Sequence, residues 1–239
     1  MNLQTGIYAI IQARMDSTRL PGKVMMKVGN NKTVLGMTIA RTQLSDILQG
    51  IVVATTTRKC DIPISVLAHD MEVEVYEFPG NADNVLTRLY YAAKSVNASV
   101  IVRVTGDCPL IDWGLINGAI QYYLVGGFDF VTNRPDYPDG MDVEIMSIDT
   151  LKVAYKKAVT TYDREHVTSY ILNNPELFRI GRMGLEADMS RLKLSVDEAI
   201  DLERVRILVR NLGEYCGLDD IIGYLGFAPD EVKKLFNYP

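Results

Sequence analysis

With 48% hydrophobic and 23% charged residues over 239 positions, the chain has the composition of a globular protein with a substantial core, which excludes a disordered or low-complexity polymer. A formal net charge of −5 excludes bulk attraction to nucleic acid or anionic membrane and leaves positive sites as local features. Three widely separated cysteines, Cys60, Cys108 and Cys216, exclude a disulfide framework or a C-x-x-C zinc site; with no leader signature and no membrane-length apolar run they predict a cytoplasmic protein.

Residues 7–11, I-Y-A-I-I, read as a buried strand, and the following loop, Q-A-R-M-D-S-T-R-L-P-G-K-V over 12–24, gathers Arg14, Arg19 and Lys23 among small and turn-forming residues. A helix is predicted over 33–44, a strand over 51–54, a helix over 62–70 and a strand over 72–76. Residues 84–95 carry Val85, Leu86, Leu89, Tyr90 and Ala93 at helical spacing, a stripe that docks on a sheet. A strand at 100–104, a helix at 112–124 and a strand at 128–131 complete the alternation. It predicts an α/β fold: a Rossmann-like, mostly parallel sheet flanked by helices and built from right-handed β–α–β crossovers. The strands are continuous apolar runs, as expected where both faces are covered. Ligands of such sheets sit beyond the carboxyl ends of the strands, which singles out loops 12–23, 55–61 and 105–112.

Near Asn133 the pattern changes. The turn-rich N-R-P-D-Y-P-D-G leads into an alternating strand at 141–146, helices at 148–159 and 163–172, and short strands at 178–182 and 192–196. Residues 133–190 are expected to form an inserted smaller lobe that covers the pocket or makes a subunit interface. Helices at 201–212, 218–225 and 229–236 close what reads as a single domain over 1–239.

A strand followed by small residues and cations suggests phosphate binding. Loop 12–24 is not a Walker A motif, since Ser17 and Val24 stand where Gly and Ser or Thr are needed, and no G-x-G-x-x-G is present. Read alone, it is equally a solvated basic turn. Asp107, in T-G-D-C-P-L-I-D, is placed to hold a metal ion at the sheet edge, or is a simple turn residue; Asp112 reads as a helix N-cap. Asp197 ends the strand at 192–196. Two strand-end carboxylates facing three cations would make a Mg²⁺–nucleotide site.

Together the runs I-I-Q-A-R-M-D-S-T-R-L-P-G-K-V, V-V-A-T, D-N-V-L-T-R-L-Y-Y-A-A and V-R-V-T-G-D-C-P-L-I-D resemble the cytidylyltransferases that include CMP-sialic acid and CMP-Kdo synthetases. P-D-G-M-D-V-E and D-R-E-H-V-T-S-Y-I are similar to the SpsF-type branch of spore-coat polysaccharide biosynthesis. The resemblance reaches to about Val209. It implies the nucleotide-diphospho-sugar transferase type of fold and CTP-dependent activation of an acidic sugar of the nonulosonic or ulosonic type. A sugar hydroxyl attacks the α-phosphate, and CMP-sugar and pyrophosphate form without a protein nucleophile. By motif match Arg14, Ser17, Arg19 and Lys23 hold the triphosphate, with Arg14, Lys23 and Asp107 in the catalytic role. Asp107 and Asp197 bind Mg²⁺, and Asn81 and Asp83 approach the nucleoside. The inserted lobe meets the sugar through Asp142 and Glu144, expected outward on one strand face, and through Arg164 and His166; Asp163 is expected to cap their helix. A homodimer through that lobe is implied as well. The alternatives are a nucleotidyltransferase using another triphosphate or a sugar or polyol phosphate, or a non-catalytic nucleotide-sugar binding subunit. The chain departs from the branch at T-T-R-K-C-D-I-P-I, where Arg58 and Lys59 either extend the positive rim or decorate an exposed turn.

Overall fold

The structure is a computed structural model that describes residues 6–30, 32–185 and 188–238. Its central sheet holds β1 (Ile7–Gln12), β2 (Gly50–Thr56), β3 (Glu74–Phe78), β4 (Val100–Thr105), β5 (Phe130–Thr132), β6 (Glu144–Ser147) and β7 (Ile180–Arg182). The order is β3-β2-β1-β4-β6-β5-β7, with β6 antiparallel to both of its neighbours and the other pairs parallel. The expected α/β fold is the observed one. β1 and β4 run side by side in register from Ile7↔Val100 to Gln12↔Thr105, so the loops that leave them start adjacent.

Between the strands run α1 (Val34–Thr42), α2 (Ile62–Asp70), α3 (Val85–Ser95) and α4 (Trp113–Gly126). Thr33, Asn84 and Asp112 cap α1, α3 and α4, each accepting a first-turn N–H on its side-chain oxygen. One face of the sheet packs Ile11, Val53 and Val102 against Leu35, Ile39, Ile64, Ile116 and Ile120 of α1, α2 and α4. The other packs Ile10, Val52, Ile101 and Phe130 against Leu86 and Leu89 of α3 and Leu151 of α5 (Ile148–Lys157).

The second half of the chain adds strands to the same sheet. Residues 133–190 supply β6, α5, α6 (Thr161–Glu165), α7 (Ser169–Leu172) and β7. The expected helix at 163–172 is broken in two at Val167, whose φ of 51° lies in the left-handed region while its side chain is fully buried. The N-cap of α6 is Thr160, and Asp163 stands three residues further on, donating its N–H to the Thr160 hydroxyl. Residues 192–196 are extended but are not a sheet strand. They are held by a bridge between Asp139 and Lys193 and by the Val196 N–H, which donates to the Asp107 carbonyl at 2.9 Å.

Helices α8 (Ala199–Leu212), α9 (Leu218–Phe227) and α10 (Asp230–Leu235) build a third apolar cluster, in which Val205, Leu208, Ile221, Leu225 and Phe236 meet Leu192, Leu194, Val196 and Met37. This cluster backs the segment that carries Asp197. A fully buried Arg41 ties it to the rest, donating to the carbonyls of Ile111 (2.7 Å), Leu110 (3.3 Å), Glu214 (2.8 Å) and Cys216 (2.8 Å). A planar guanidinium with five donors can satisfy four carbonyls from two segments at once; an ammonium cannot. Among the described residues, no helix is long and apolar enough to cross a membrane.

Candidate active site

The loop after β1 folds back on itself. Gly22, at φ 72°, donates its N–H to the Met15 carbonyl at 2.7 Å and opens a short 3-10 turn, Lys23–Met25. That turn buries Lys23, 7% exposed, and aims its ammonium at the sheet edge. From the neighbouring strand, Gly106 donates its N–H to the Gln12 carbonyl at 2.9 Å; a Cβ there would stand 3.0 Å from that oxygen and from Ala13 Cβ. Glycine thus lets the Asp107 loop lie directly against the cationic loop.

Three chain segments meet at Lys23. Its Nζ donates to Asp107 Oδ2 at 2.6 Å and to Asp197 Oδ1 at 3.0 Å, and Arg19 pairs with the same Asp197 oxygen at 2.7 Å. Lys193 holds the other Asp197 oxygen at 2.9 Å and also reaches Asp201, which is buried and accepts the N–H groups of Asp197 and Glu198. Burial alone would raise the Asp197 pKa, but hydrogen bonds from Lys193 and Lys23 hold it below the usual carboxylate range. Burial likewise works against the charge on Lys23, yet Asp107 and Asp197 raise its pKa above the ordinary value. Asp197 and Lys23 are therefore both charged at neutral pH.

Arg19, Lys23, Asp107 and Asp197 line a cleft of about 330 Å³ with Arg14, Ser17, Thr18, Arg88, Arg103, Glu165 and His166. A second cavity of about 320 Å³ shares Arg103, Thr105, Asp107, His166 and Asp197 and adds Arg134, Asp139, Asp142 and Glu144. A larger cavity at the amino end of the sheet, beside Tyr8, Gln43 and Glu74, is lined by no cation. Asp142 is pushed up to about 6, by burial first and then by Asp139 and Glu144, against the opposing pull of Arg134. Burial pushes the Cys108 thiol well up, so the one cysteine at the cavity is no thiolate nucleophile.

Arg14, Ser17, Arg19, Lys23, Asp107 and Asp197 are thus brought together, and His166 lines both cavities. Other expected site residues stand differently. Glu144 is not on an outward strand face: it is 3% exposed, starts β6, and is taken by Arg103 and by the Thr168 hydroxyl. Asp142 precedes the strand and lies 3.7 Å from Arg134. Arg164 lines neither cavity; it donates to Thr87 and stacks over Tyr155, fastening α6 to α3 and α5. Asp83 lines neither cavity and pairs with Arg14, and Asn81, also outside the cleft, accepts the Asp83 N–H. Arg58 is not a free rim cation. It clamps Asp16 of the cationic loop to buried Asp61, which also accepts the Met15 N–H at 2.7 Å. The Arg58 hydrogen bond holds Asp16 below the usual carboxylate range despite partial burial.

Sequence reasoning missed Arg88, Arg103, Arg134 and Asp139. The signal for Arg103 was present, a lone cation inside the apolar run V-I-V-R-V-T. Arg88 hid within a helical stripe that read as core.

Asp107 and Asp197 fit a divalent cation. Their oxygens converge on one ammonium, which stands in for a cation held between two carboxylates. No group of three or more His, Cys, Asp or Glu among the described residues would hold a metal by itself. Two carboxylates completed by substrate phosphates is the way Mg²⁺ is commonly bound.

Comparison with known proteins identifies the family. The sequence profile of the family described as cytidylyltransferase matches residues 8–212. The spore coat polysaccharide biosynthesis protein SpsF of Bacillus subtilis is 34% identical over 239 residues, covering 95% of this chain and 97% of its own. A cytidylyltransferase structure from Leptospira borgpetersenii superposes with a TM-score of 0.88 at 31% identity, covering 97% of this chain and 96% of that one. The structure of CMP:2-keto-3-deoxy-manno-octonic acid synthetase complexed with CTP shares the fold, with a TM-score of 0.68 at 16% identity over 86% of this chain and 98% of its own. With the profile spanning most of its length, the chain belongs to the cytidylyltransferase family of nucleotidyltransferases.

Proposed function

We propose that the protein is a Mg²⁺-dependent cytidylyltransferase that joins CMP from CTP to a hydroxyl of an acidic sugar, releasing pyrophosphate for use of the CMP-sugar in surface glycan synthesis. One observation carries this reading: two carboxylates from separate loops meet on Lys23 beside Arg14, Ser17 and Arg19. Without nucleotide, the two carboxylates are matched by Lys23 together with Arg19 and Lys193. Mg²⁺–CTP brings a cation for the carboxylates and phosphate oxygens for the ammonium, so the same groups serve both states. Asp107 and Asp197 would hold the metal, whose chemistry is to polarise the α-phosphate and lower the pKa of the attacking hydroxyl.

The protein's own residues supply positioning and charge. Lys23 and Arg14 stabilise the charge that grows on the leaving pyrophosphate. The cavity holding Asp139, Asp142 and Ser195 receives the sugar; Arg134, 57% exposed at its edge, takes the sugar carboxylate. His166, set between the two cavities by the break at Val167, orients the attacking hydroxyl and accepts its proton. A homodimer and a cytoplasmic setting belong to the same reading, and light scattering after size exclusion tests the first. The central experiment supplies CTP and Mg²⁺ with a panel of nonulosonic and ulosonic acids and follows pyrophosphate. Release with at least one sugar, lost on chelation, supports the proposal; no binding of CTP at all sinks it.

A further inference from the structure

Arg88 is a cation of the cleft with no carboxylate at ion-pair distance among the described residues, Asp61 and Asp16 acting on it only from further away. It is 2% exposed and stands on α3, lining the nucleotide half of the cleft with Gln12, Ala13, Arg14 and Val85. Its Nη1 donates to the Ala82 carbonyl at 2.7 Å, while its Nε is buried with no hydrogen-bond partner. Other cations of this cleft each have a carboxylate: Arg14 has Asp83, Arg19 and Lys23 have Asp197, and Arg103 has Glu144. Burial first, and then the nearby Arg14, draw the Arg88 pKa down to about 10, which still leaves it charged at neutral pH. A buried guanidinium with an unused donor is costly unless a ligand completes it.

The kind of acceptor follows from the surroundings. The cations of loop 12–24 proposed to hold phosphates each already face a carboxylate. Arg88 instead sits on a helix, pinned by Ala82, with its donors fixed in direction. Val85, one turn earlier, shares its helix face and offers apolar surface beside the fork. Fixed forked donors next to an apolar wall suit a flat ring with adjacent acceptors.

We propose that Arg88 reads the base, its unused donors meeting the O2 and N3 acceptors of cytosine with Val85 against the ring. Uracil carries a donor, N3–H, where cytosine has its acceptor, so the same fork rejects UTP. This rests on the CTP reading above and adds the residue that enforces it.

The test is calorimetric titration with Mg²⁺ and, in turn, CTP, UTP, 3-deaza-CTP (which has C–H in place of N3) and pyrophosphate. The unaltered chain is expected to bind CTP at least about 30-fold more tightly than UTP or 3-deaza-CTP. Arg88→Lys and Arg88→Gln are expected to bring CTP and UTP within about threefold of each other and to leave pyrophosphate affinity within about twofold. Equal binding of 3-deaza-CTP and CTP by the unaltered chain overturns the proposal without any variant needing to fold. So does a variant that loses CTP, UTP and pyrophosphate in parallel, which assigns Arg88 to the phosphates, or one that keeps the CTP preference. Failure of the unaltered chain to bind CTP would refute the CTP reading itself, so the two failures are distinguishable.

Discussion

Replacing Asp107 by Asn separates the proposed metal site from mere support of the fold. The substitution keeps the shape and an oxygen that can still accept from Lys23, which also retains Asp197 at 3.0 Å. The Asp107 side chain is 26% exposed, so the lost charge pairing is partly screened, and the fold should lose only about 1 kcal/mol. If the carboxylate binds Mg²⁺, turnover should fall at least about 100-fold, equivalent to about 2.7 kcal/mol at the transition state. The assay pairs pyrophosphate release at two Mg²⁺ concentrations with urea unfolding of the same sample. The expected pattern is a urea midpoint close to the parent's, a large activity loss, and partial recovery at high Mg²⁺. Near-normal turnover at low Mg²⁺ would refute the metal assignment. A collapsed urea midpoint would instead show that Asp107 is structural.

Arg58→Met removes the clamp between Asp16 and buried Asp61; it should raise KM for CTP about 5–20-fold with a smaller change in kcat, and lower stability by about 2 kcal/mol in a thermal melt. Glu144→Gln breaks a largely buried pair with Arg103, and urea unfolding should register a loss of about 3 kcal/mol. Arg41→Met strands four carbonyls and should cost about 3–5 kcal/mol in the same assay, with Arg41→Lys rescuing little. The folded pKa of Asp142, about 6, lies above its unfolded value, so the folded state binds more protons between roughly pH 4 and 6 and stability falls as pH rises through that window. Asp142→Asn should therefore gain about 3 kcal/mol relative to the parent between pH 4 and pH 7.5; identical pH profiles in urea would show the carboxyl to be unperturbed.

The local periodicities of this chain determined its α/β class, because a strand covered on both faces is apolar throughout and a docking helix repeats at its own period. They also placed the Gln12–Val24 loop and Asp107 at strand ends, where parallel sheets bind ligands, and Asp112 at a helix cap, which depends only on nearby N–H groups. Only the tertiary structure decided which charges meet. Lys23, Asp107 and Asp197 are separated by up to 174 positions, and no spacing encodes that two loops and a segment backed by the C-terminal helices close on one ammonium. For the same reason Arg58, read as either a rim cation or an exposed turn residue, proved to be a brace, and Glu144, read as outward-facing, proved to be buried. An Arg or Glu looks the same in sequence whether solvent, a carboxylate or nothing at all stands opposite it. At Arg88 the fold leaves a buried donor unanswered, and that vacancy can be seen only in three dimensions.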